Sequence, residues 1–348
     1  MVVIKRLSLG VLLLLIMVVA ALYYQLNNVP SLEPYQNYFK ASTHPTSSSV
    51  FKLTGAKKLT ATYFGTSTVL ISDGETSIMT DGFFSRPTAW DLVFGNISPD
   101  QIIIKEALLQ TNVSNLAAVI PIHSHHDHAM DAPVVVQQTG AMLVGSQSTA
   151  NIGRGWGLDE SQIKVVSSGE ALKFGQFSVR LIASQHAPAP EVIEELTGAG
   201  LAIEEPLTFP AKLSDFKEGG SFSVLVEHPL GNVLVHGSAG FKEGALAGIK
   251  ADVVFLGIAG LGKKDAYYQE RYFKELVSDV GATRIIPVHW DDFTQPFNET
   301  FRPMVKMIDD FDGAMEFIIN KEKQDNNLSL HMMGRLDSMV LYSGLNIY

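Results

Sequence analysis

Residues 116–128 read Leu116-Ala-Ala-Val-Ile-Pro-Ile-His-Ser-His-His-Asp-His128. The apolar run Leu116–Ile122 has the length and composition of a buried strand. It ends in the pattern His123-x-His125-x-Asp127-His128, which sets three imidazoles and a carboxylate within six residues. Neutral imidazoles and carboxylates are the donor set that suits zinc, with iron and manganese as the alternatives. A loop leaving a strand can turn alternate side chains toward one point. His123 and His125 can then face one metal while Asp127 and His128 face another, and His126, pointing the other way in an extended loop, takes no ligand role. The competing reading is a solvated His-rich tract, but such tracts lie in low-complexity segments. This one is held between a core strand and a helix expected over Asp131–Thr139.

Further landmarks follow in order along the chain. Thr62-Tyr-Phe-Gly-Thr-Ser-Thr-Val-Leu-Ile71 reads as a long strand region, and Ile78-Met-Thr-Asp81-Gly82 as a strand ending in Asp-Gly. His186 lies in Ala183-Ser-Gln-His-Ala187, His236 opens His236-Gly-Ser-Ala-Gly240, and His289 lies in Ile286-Pro-Val-His-Trp290. Together with the His-x-His-x-Asp-His motif, this series, over about residues 55–320, resembles the metallo-β-lactamase superfamily. More weakly, the chain resembles its lactonase and N-acyl-phosphatidylethanolamine phospholipase D-like branches. The resemblance implies an α/β fold, a four-layer αββα sandwich, with metal ligands on loops along one edge. It implies one metal on His123, His125 and His186 and a second on Asp127, His128 and His289, most simply two zinc ions. It implies that Asp81 orients a ligand imidazole by accepting its second N–H. At Ser238 the chain departs from the pattern, because much of the superfamily has a metal-bridging Asp there. A serine hydroxyl is a poor zinc ligand, so Ser238 and His236 are expected behind the ligands rather than among them. His44, His228 and His331 stand apart from the pattern and receive no role.

Composition bounds the function. The 348 residues are 46% hydrophobic, enough for one large α/β domain over 50–348. Net charge is −10 and no Lys/Arg-rich run occurs, so the electrostatic footprint of a nucleic-acid binder is absent. There is no cysteine, which excludes disulfides and thiolate ligands. No Gly-rich phosphate loop and no Gly-x-Ser-x-Gly elbow is present, so nucleoside-triphosphate and serine-hydrolase chemistry lack support.

The N-terminus carries a membrane signal. Lys5 and Arg6 precede the uncharged run Leu7–Tyr24, whose 18 residues would span about 27 Å as a helix. The next lysine is Lys40, and the positive-inside rule places the body of the protein outside the cytoplasm, in a periplasm or at the cell surface. The run reads as an anchor with Tyr23 and Tyr24 at the interface. The alternative is a signal peptide with a poor cleavage site near Ala20 or Ala21, which would make the protein secreted. Residues 25–49, rich in Pro, Ser and Thr, read as a linker or wrapping segment.

From residue 50 the pattern is strands near 58–65, 67–73 and 76–81, a helix over 98–109, the 116–122 strand and its ligand loop, and a strand over 141–145. A helix over 147–154 and strands near 163–166, 171–174 and 176–183 complete the first round. The second has strands at 221–228, 232–236 and 252–257, a short helix at 242–247, a helix at 265–280 and a strand at 283–288. A helix is expected at 300–311 and a strand at 314–320. Ala187–Gly220 is a long Pro-containing insert that begins one residue after His186. It reads either as a substrate lid or groove wall, or as a plain surface insertion.

Three neutral imidazoles leave a zinc position open for water, and zinc lowers the pKa of that water to about 7. Asp127 is placed to take the water's proton. The expected activity is hydrolysis of an ester, lactone or phosphodiester by metal-bound hydroxide, with an amphiphilic or cell-envelope substrate favoured by the anchor and the apolar insert. A β-lactam-type amide hydrolase is the enzymatic alternative. A non-catalytic metal-binding envelope protein is the alternative of a different class.

Overall fold

The computed structural model describes residues 15–18, 20, 23–39 and 57–344. Two seven-stranded mixed sheets dominate them. The first contains β1 (Lys58–Tyr63), β2 (Val69–Ser72), β3 (Ser77–Thr80), β4 (Leu116–Ile120), β5 (Met142–Gly145), β6 (Ile163–Val165) and the C-terminal β14 (Ser338–Ser343), in the order β14-β1-β2-β3-β4-β5-β6. The second contains β7 (Ala171–Phe174), β8 (Phe177–Ala183), β9 (Phe222–His228), β10 (Gly231–His236), β11 (Val253–Gly257), β12 (Arg284–Val288) and β13 (Ser329–Leu330), in the order β13-β12-β11-β10-β9-β8-β7.

Each sheet has a parallel half and an antiparallel half. β3 through β6 run parallel, as do β10 through β13. The parallel strands β4, Leu-Ala-Ala-Val-Ile, and β11, Val-Val-Phe-Leu-Gly, read as continuous apolar runs because both faces of a parallel sheet are covered. Residues from both sheets, among them Ile71, Val119, Val226, Leu234 and Phe255, join one hydrophobic core.

Helices pack on each sheet. In chain order they are α1 (Ala89–Phe94), α2 (Gln101–Gln110), α3 (His126–Ala129), α4 (Ala132–Thr139), α5 (Gln147–Trp156), α6 (Glu191–Thr197), α7 (Ala266–Phe273) and α8 (Phe311–Gln324). α4 lies against β4 and β5, α5 against β5 and β6, and α8 against β13. A π-helical turn, Lys274–Ser278, continues α7 to close the expected 265–280 helix.

The end of the chain departs from the sequence reading. The helix expected at 300–311 is absent, and 300–310 is irregular with a short turn. Pro303 removes a backbone donor and blocks the preceding helical turn. Asp310 instead caps α8 by accepting from the Gly313 amide, so the strand expected at 314–320 is helix. Its buried residues Phe311, Ala314, Met315 and Ile318 follow the i, i+3, i+4, i+7 spacing of a helix face. The short helix expected at 242–247 is a series of turns. α1, α6 and β14 were not anticipated.

Most of the apolar run Leu7–Tyr24 and all of 40–56 lie outside the described residues. Among the described residues no helix is long and apolar enough to cross a membrane. The stretch after the run is not a free linker. The Lys306 amide donates to the Asn28 carbonyl, Tyr35 packs edge-on against Phe311, and Phe39 bridges to Met332.

The insert 187–220 is fastened to the domain. Ile203, Leu207, Ala211 and Phe216 are buried in a second apolar cluster with Phe83, Ile97, Ala129, Met130 and Ile152. The Asn151 side chain donates to the Ile203 carbonyl, and the Leu207 amide donates to the Asn151 carbonyl. Gly155 of α5 lies so close that a Cβ there would run into the backbone of Leu207. Gly155→Ala should therefore push the insert off α5, costing roughly 1–3 kcal/mol as overpacking does. Urea unfolding with limited proteolysis checks this: lower stability with new cleavage inside 187–220 is expected, and an unchanged protein would refute the packing.

Candidate metal centre

The ends of four strands converge on one site. β4 ends at Ile120 and delivers His123 and His125, β8 ends at Ala183 and delivers His186, and β12 ends at Val288 and delivers His289. Asp81 follows β3 directly. The loop after β4 is not extended throughout. His125 caps the helical turn α3, and the His128 and Ala129 amides donate to the His125 carbonyl. Asp127 and His128 therefore leave a helix rather than an extended strand. The same turn sends His126 the other way, into the rings of Phe83, Phe216 and Phe293.

Two triads result. The donor atoms of His123, His125 and His186 lie within 4.8 Å of one another, and so do those of Asp127, His128 and His289. In the first, His123 Nε2 faces His125 Nδ1 at 3.0 Å. Two ring lone pairs at that distance need a proton or a cation between them. In the second, Asp127 Oδ2 is 3.1 Å from His289 Nε2 and 3.5 Å from His128 Nε2. The rings of His123 and His128 have centroids 3.9 Å apart, so the triads form one centre.

Three of the outward nitrogens face acceptors, which sets the tautomer of those rings, while His123 Nδ1 is buried without a partner among the described residues. His128 Nδ1 donates to Asp81 Oδ2 at 2.9 Å, His125 Nε2 to the Thr197 carbonyl at 3.1 Å, and His186 Nδ1 to the Ala187 carbonyl at 2.9 Å. Each leaves its other nitrogen, lone pair outward, toward its triad, as metal-binding imidazoles are arranged. Asp81 also accepts from the Ser67 hydroxyl and the Ile122 amide. Ser238 Oγ accepts from the Ala187 amide at 2.8 Å and so steadies the chain next to His186. His236 is spent on Ser223 Oγ, 2.8 Å from its Nδ1, and on the Gly240 carbonyl, 2.6 Å from its Nε2. It is linked to the centre through Gly240, which packs on the backbone of His186.

Burial holds the first triad neutral. Desolvation is the largest influence on His123, His125 and His186 and lowers all three from the ordinary histidine value, with the neighbouring imidazoles adding to it for His123 and His125. At His128 burial works in the same direction, but Asp81 and Asp127 outweigh it and raise the pKa. Asp127 is buried, which alone would raise its pKa, yet His128, His126 and His289 hold it well below the usual carboxylate range. Neutral imidazoles and an ionised carboxylate are the protonation states a divalent ion requires.

Sequence reasoning missed two supports. The first is the insert, whose α6 ends at Thr197, the acceptor for His125. Glu218 closes that turn, accepting from the Gly200 amide and the Ser221 hydroxyl, while its carbonyl accepts from the Ser124 amide. The second is a buried Arg86–Asp291 ion pair beside His289. The only hint of it in the sequence is the acidic pair Asp291-Asp292 following the histidine. His228 lies away from the centre, beside Asp73 and against the ring of Phe177. His44 lies outside the described residues.

A domain of this architecture, with imidazole and carboxylate donors gathered at strand ends, is that of a metal-binding α/β sandwich. Residues 60–289 match the family described as the beta-lactamase superfamily domain, and the chain belongs to that family. No curated protein matches it. Among solved structures, it is similar to CmlA, a diiron β-hydroxylase from Streptomyces venezuelae, at 13% identity and a TM-score of 0.51, covering 82% of this chain and 54% of that one. It is also similar to Igni18, a metallo hydrolase from the archaeon Ignicoccus hospitalis, at 16% identity and a TM-score of 0.49, covering 81% and 97%. A third is an isothiocyanate hydrolase from Delia radicum gut bacteria, at 17% identity and a TM-score of 0.48, covering 82% and 100%.

His236 makes a measurable prediction about acid stability. Burial lowers its pKa from 6.5 to about 4. A base with a depressed folded pKa contributes stability that is complete above pH 6.5 and is lost as pH falls toward about 4. The loss is about 3 kcal/mol. Metal-free wild type and His236→Gln, unfolded in urea between pH 7 and pH 4, should diverge by a gap of that order, the variant losing less. Parallel pH profiles would show that His236 is not buried neutral.

Proposed function

We propose that this protein is a metal-dependent hydrolase that binds two divalent ions, zinc by preference, and cleaves an ester, lactone or phosphodiester. The observation that carries the reading is the pair of adjoining triads, five imidazoles and one carboxylate, with burial keeping the first triad neutral and the neighbouring imidazoles keeping Asp127 ionised. His123, His125 and His186 would hold one ion and Asp127, His128 and His289 the other. An ion so held would lower the pKa of a bound water to about 7 and so make a nucleophile available at neutral pH.

The chain's own residues do the rest. Asp127 Oδ2 is engaged by His128 and His289, whereas Oδ1 has only His126 Nδ1 near it, at 3.6 Å. Oδ1, not engaged by the triad histidines, is the Asp127 oxygen left to accept a proton from an attacking water. Asp81 and the Thr197 carbonyl keep His128 and His125 aimed, so the reacting groups meet in fixed geometry. Beside His125, α6 exposes Val192, Ile193 and Leu196. These exposed apolar residues lie on the helix that ends at Thr197, the partner of His125, and support a substrate with an apolar portion. The N-terminal run Leu7–Tyr24 supports a membrane tether with the domain facing outside the cytoplasm.

Metal analysis of purified protein should give one to two ions per chain. A phosphodiester, a lactone, an ester and a β-lactam, each chromogenic, then separate the substrate classes. His123→Ala and His125→Ala should lose hydrolysis and the tightly bound ion together. Undiminished turnover after exhaustive chelation would sink the mechanism. A reporter fused to the C-terminus should be active only outside the cytoplasm, and activity inside it would refute the tether's orientation.

A further inference from the structure

Arg86 and Asp291 form an ion pair at 2.5 Å with both side chains fully buried. Such a pair is costly: each ion gives up several kcal/mol of hydration, and apolar replacements of similar volume are often as stable or more so. Stability alone does not account for it.

Its contacts lead to the second triad. Asp291 Oδ1 accepts from the Tyr63 hydroxyl at 2.8 Å and from the Thr66 amide at 2.7 Å, while Oδ2 takes the Arg86 guanidinium. The Thr66 carbonyl in turn accepts from the His289 amide at 2.5 Å and from Tyr63 at 3.1 Å. Asp291, two residues beyond His289, thus reaches back to clamp the peptide that holds His289. The next residue, Ser67, donates to Asp81 and lies 3.2 Å from His128 Nδ1. One short loop therefore supports two members of the second triad, and Asp291 fixes that loop.

The backbone is set for this arrangement. Thr66, Arg86 and His289 have φ of 51°, 46° and 56°, left-handed values that non-glycine residues hold only when their surroundings over-determine them, at a cost of order 1–3 kcal/mol each. Gly65 leaves the space the guanidinium fills, since a Cβ there would collide with Arg86. Arg86 lies over the ring of Phe301, 4.2 Å from its centroid, a cation–π contact that helps to hold the guanidinium in place.

We propose that the Arg86–Asp291 pair is a positioning device for the second metal site, acting through Thr66 and Ser67 on His289 and His128. The first triad hangs from the β4 loop, the β8 end and the insert, and none of its members bonds to the pair. The effect is therefore selective for one site. The proposal rests on the two-ion reading above.

The test is stepwise zinc uptake by metal-free protein, with a chromophoric chelator as competitor, for wild type, Asp291→Asn, Arg86→Met and Tyr63→Phe. The melting temperature of each metal-free protein is followed in parallel. Asp291→Asn and Arg86→Met should weaken the second ion about 10–100-fold, the range seen when groups that orient ligands are changed. The first ion should keep its affinity. Tyr63→Phe removes one donor to Asp291 and should shift the second ion in the same direction by less. If the charge variants do not fold, Tyr63→Phe alone decides by the ratio of the two affinities. A merely structural pair would lower the melting temperature and leave that ratio unchanged; that result overturns the proposal. A wild type that takes up no second ion overturns the two-ion reading itself, and this assignment with it.

Discussion

The Asp81 carboxylate accepts hydrogen bonds from three separate segments: the Ile122 amide just past β4, the Ser67 hydroxyl between β1 and β2, and the His128 ring. It does so fully buried and with φ of 55°, in the left-handed region. A buried carboxylate is tolerated only where its lone pairs are filled, and here each donor is part of the apparatus that builds the centre. If Asp81 were displaced, the β4 exit, the 64–68 loop and His128 would lose their common reference point together. His289 depends on the same reference, because its amide is held by the Thr66 carbonyl of that loop.

The centre is assembled across both sheets. Asp127 and His128 come from the loop after β4 in the first sheet and His289 from the end of β12 in the second. The first triad divides likewise, with His186 arriving from β8. Each triad is a point where the sheets are joined by polar contacts at the rim of an otherwise apolar core. An ion bound by either would stabilise the folded state by mass action, because the unfolded chain does not gather those donors. The two left-handed residues Asp81 and His289 sit at matching places, each directly after a parallel strand, where the chain must turn sharply to present a side chain across the strand ends.

What the sequence made legible follows from local spacing. The His-x-His-x-Asp-His motif, the apolar strand ahead of it and the strand-end histidines are patterns of period two or of fixed offset, and the structure brings those residues together. The interactions that sequence did not reveal join residues far apart in the chain. Arg86 meets Asp291 across 205 positions and Thr197 meets His125 across 72, and apart from the acidic pair Asp291-Asp292 nothing near either residue points to its partner. The 300–324 region failed for a different reason. Ala-Met-Glu-Phe-Ile-Ile over 314–319 is compatible with either period, and the capping role of Asp310, which decides for helix, depends on where the irregular stretch after Pro303 stops. His126 does turn away from its neighbours, but the cause is the phase of a helical turn rather than the alternation of an extended loop.

The donor set also limits which ions the centre can keep. Five of its six residues offer imidazole nitrogen and one offers a carboxylate. Ser238, whose hydroxyl already accepts the Ala187 amide, adds no charge. Magnesium and calcium prefer cages of oxygen donors and gain little from neutral nitrogen. Zinc and its transition-metal neighbours gain most from it. With Asp127 as the one carboxylate among six donors, two divalent ions bound as proposed would be only partly neutralised, and their mutual repulsion would have to be met by rigid placement of the ligands. That requirement accounts for the expense of the supports: a buried ion pair behind His289, a buried carboxylate behind His128 and a fastened insert behind His125. The first two support the second triad, where the carboxylate approaches His289 and His128 closely, and there Thr66, Asp81, Arg86 and His289 all take left-handed backbone.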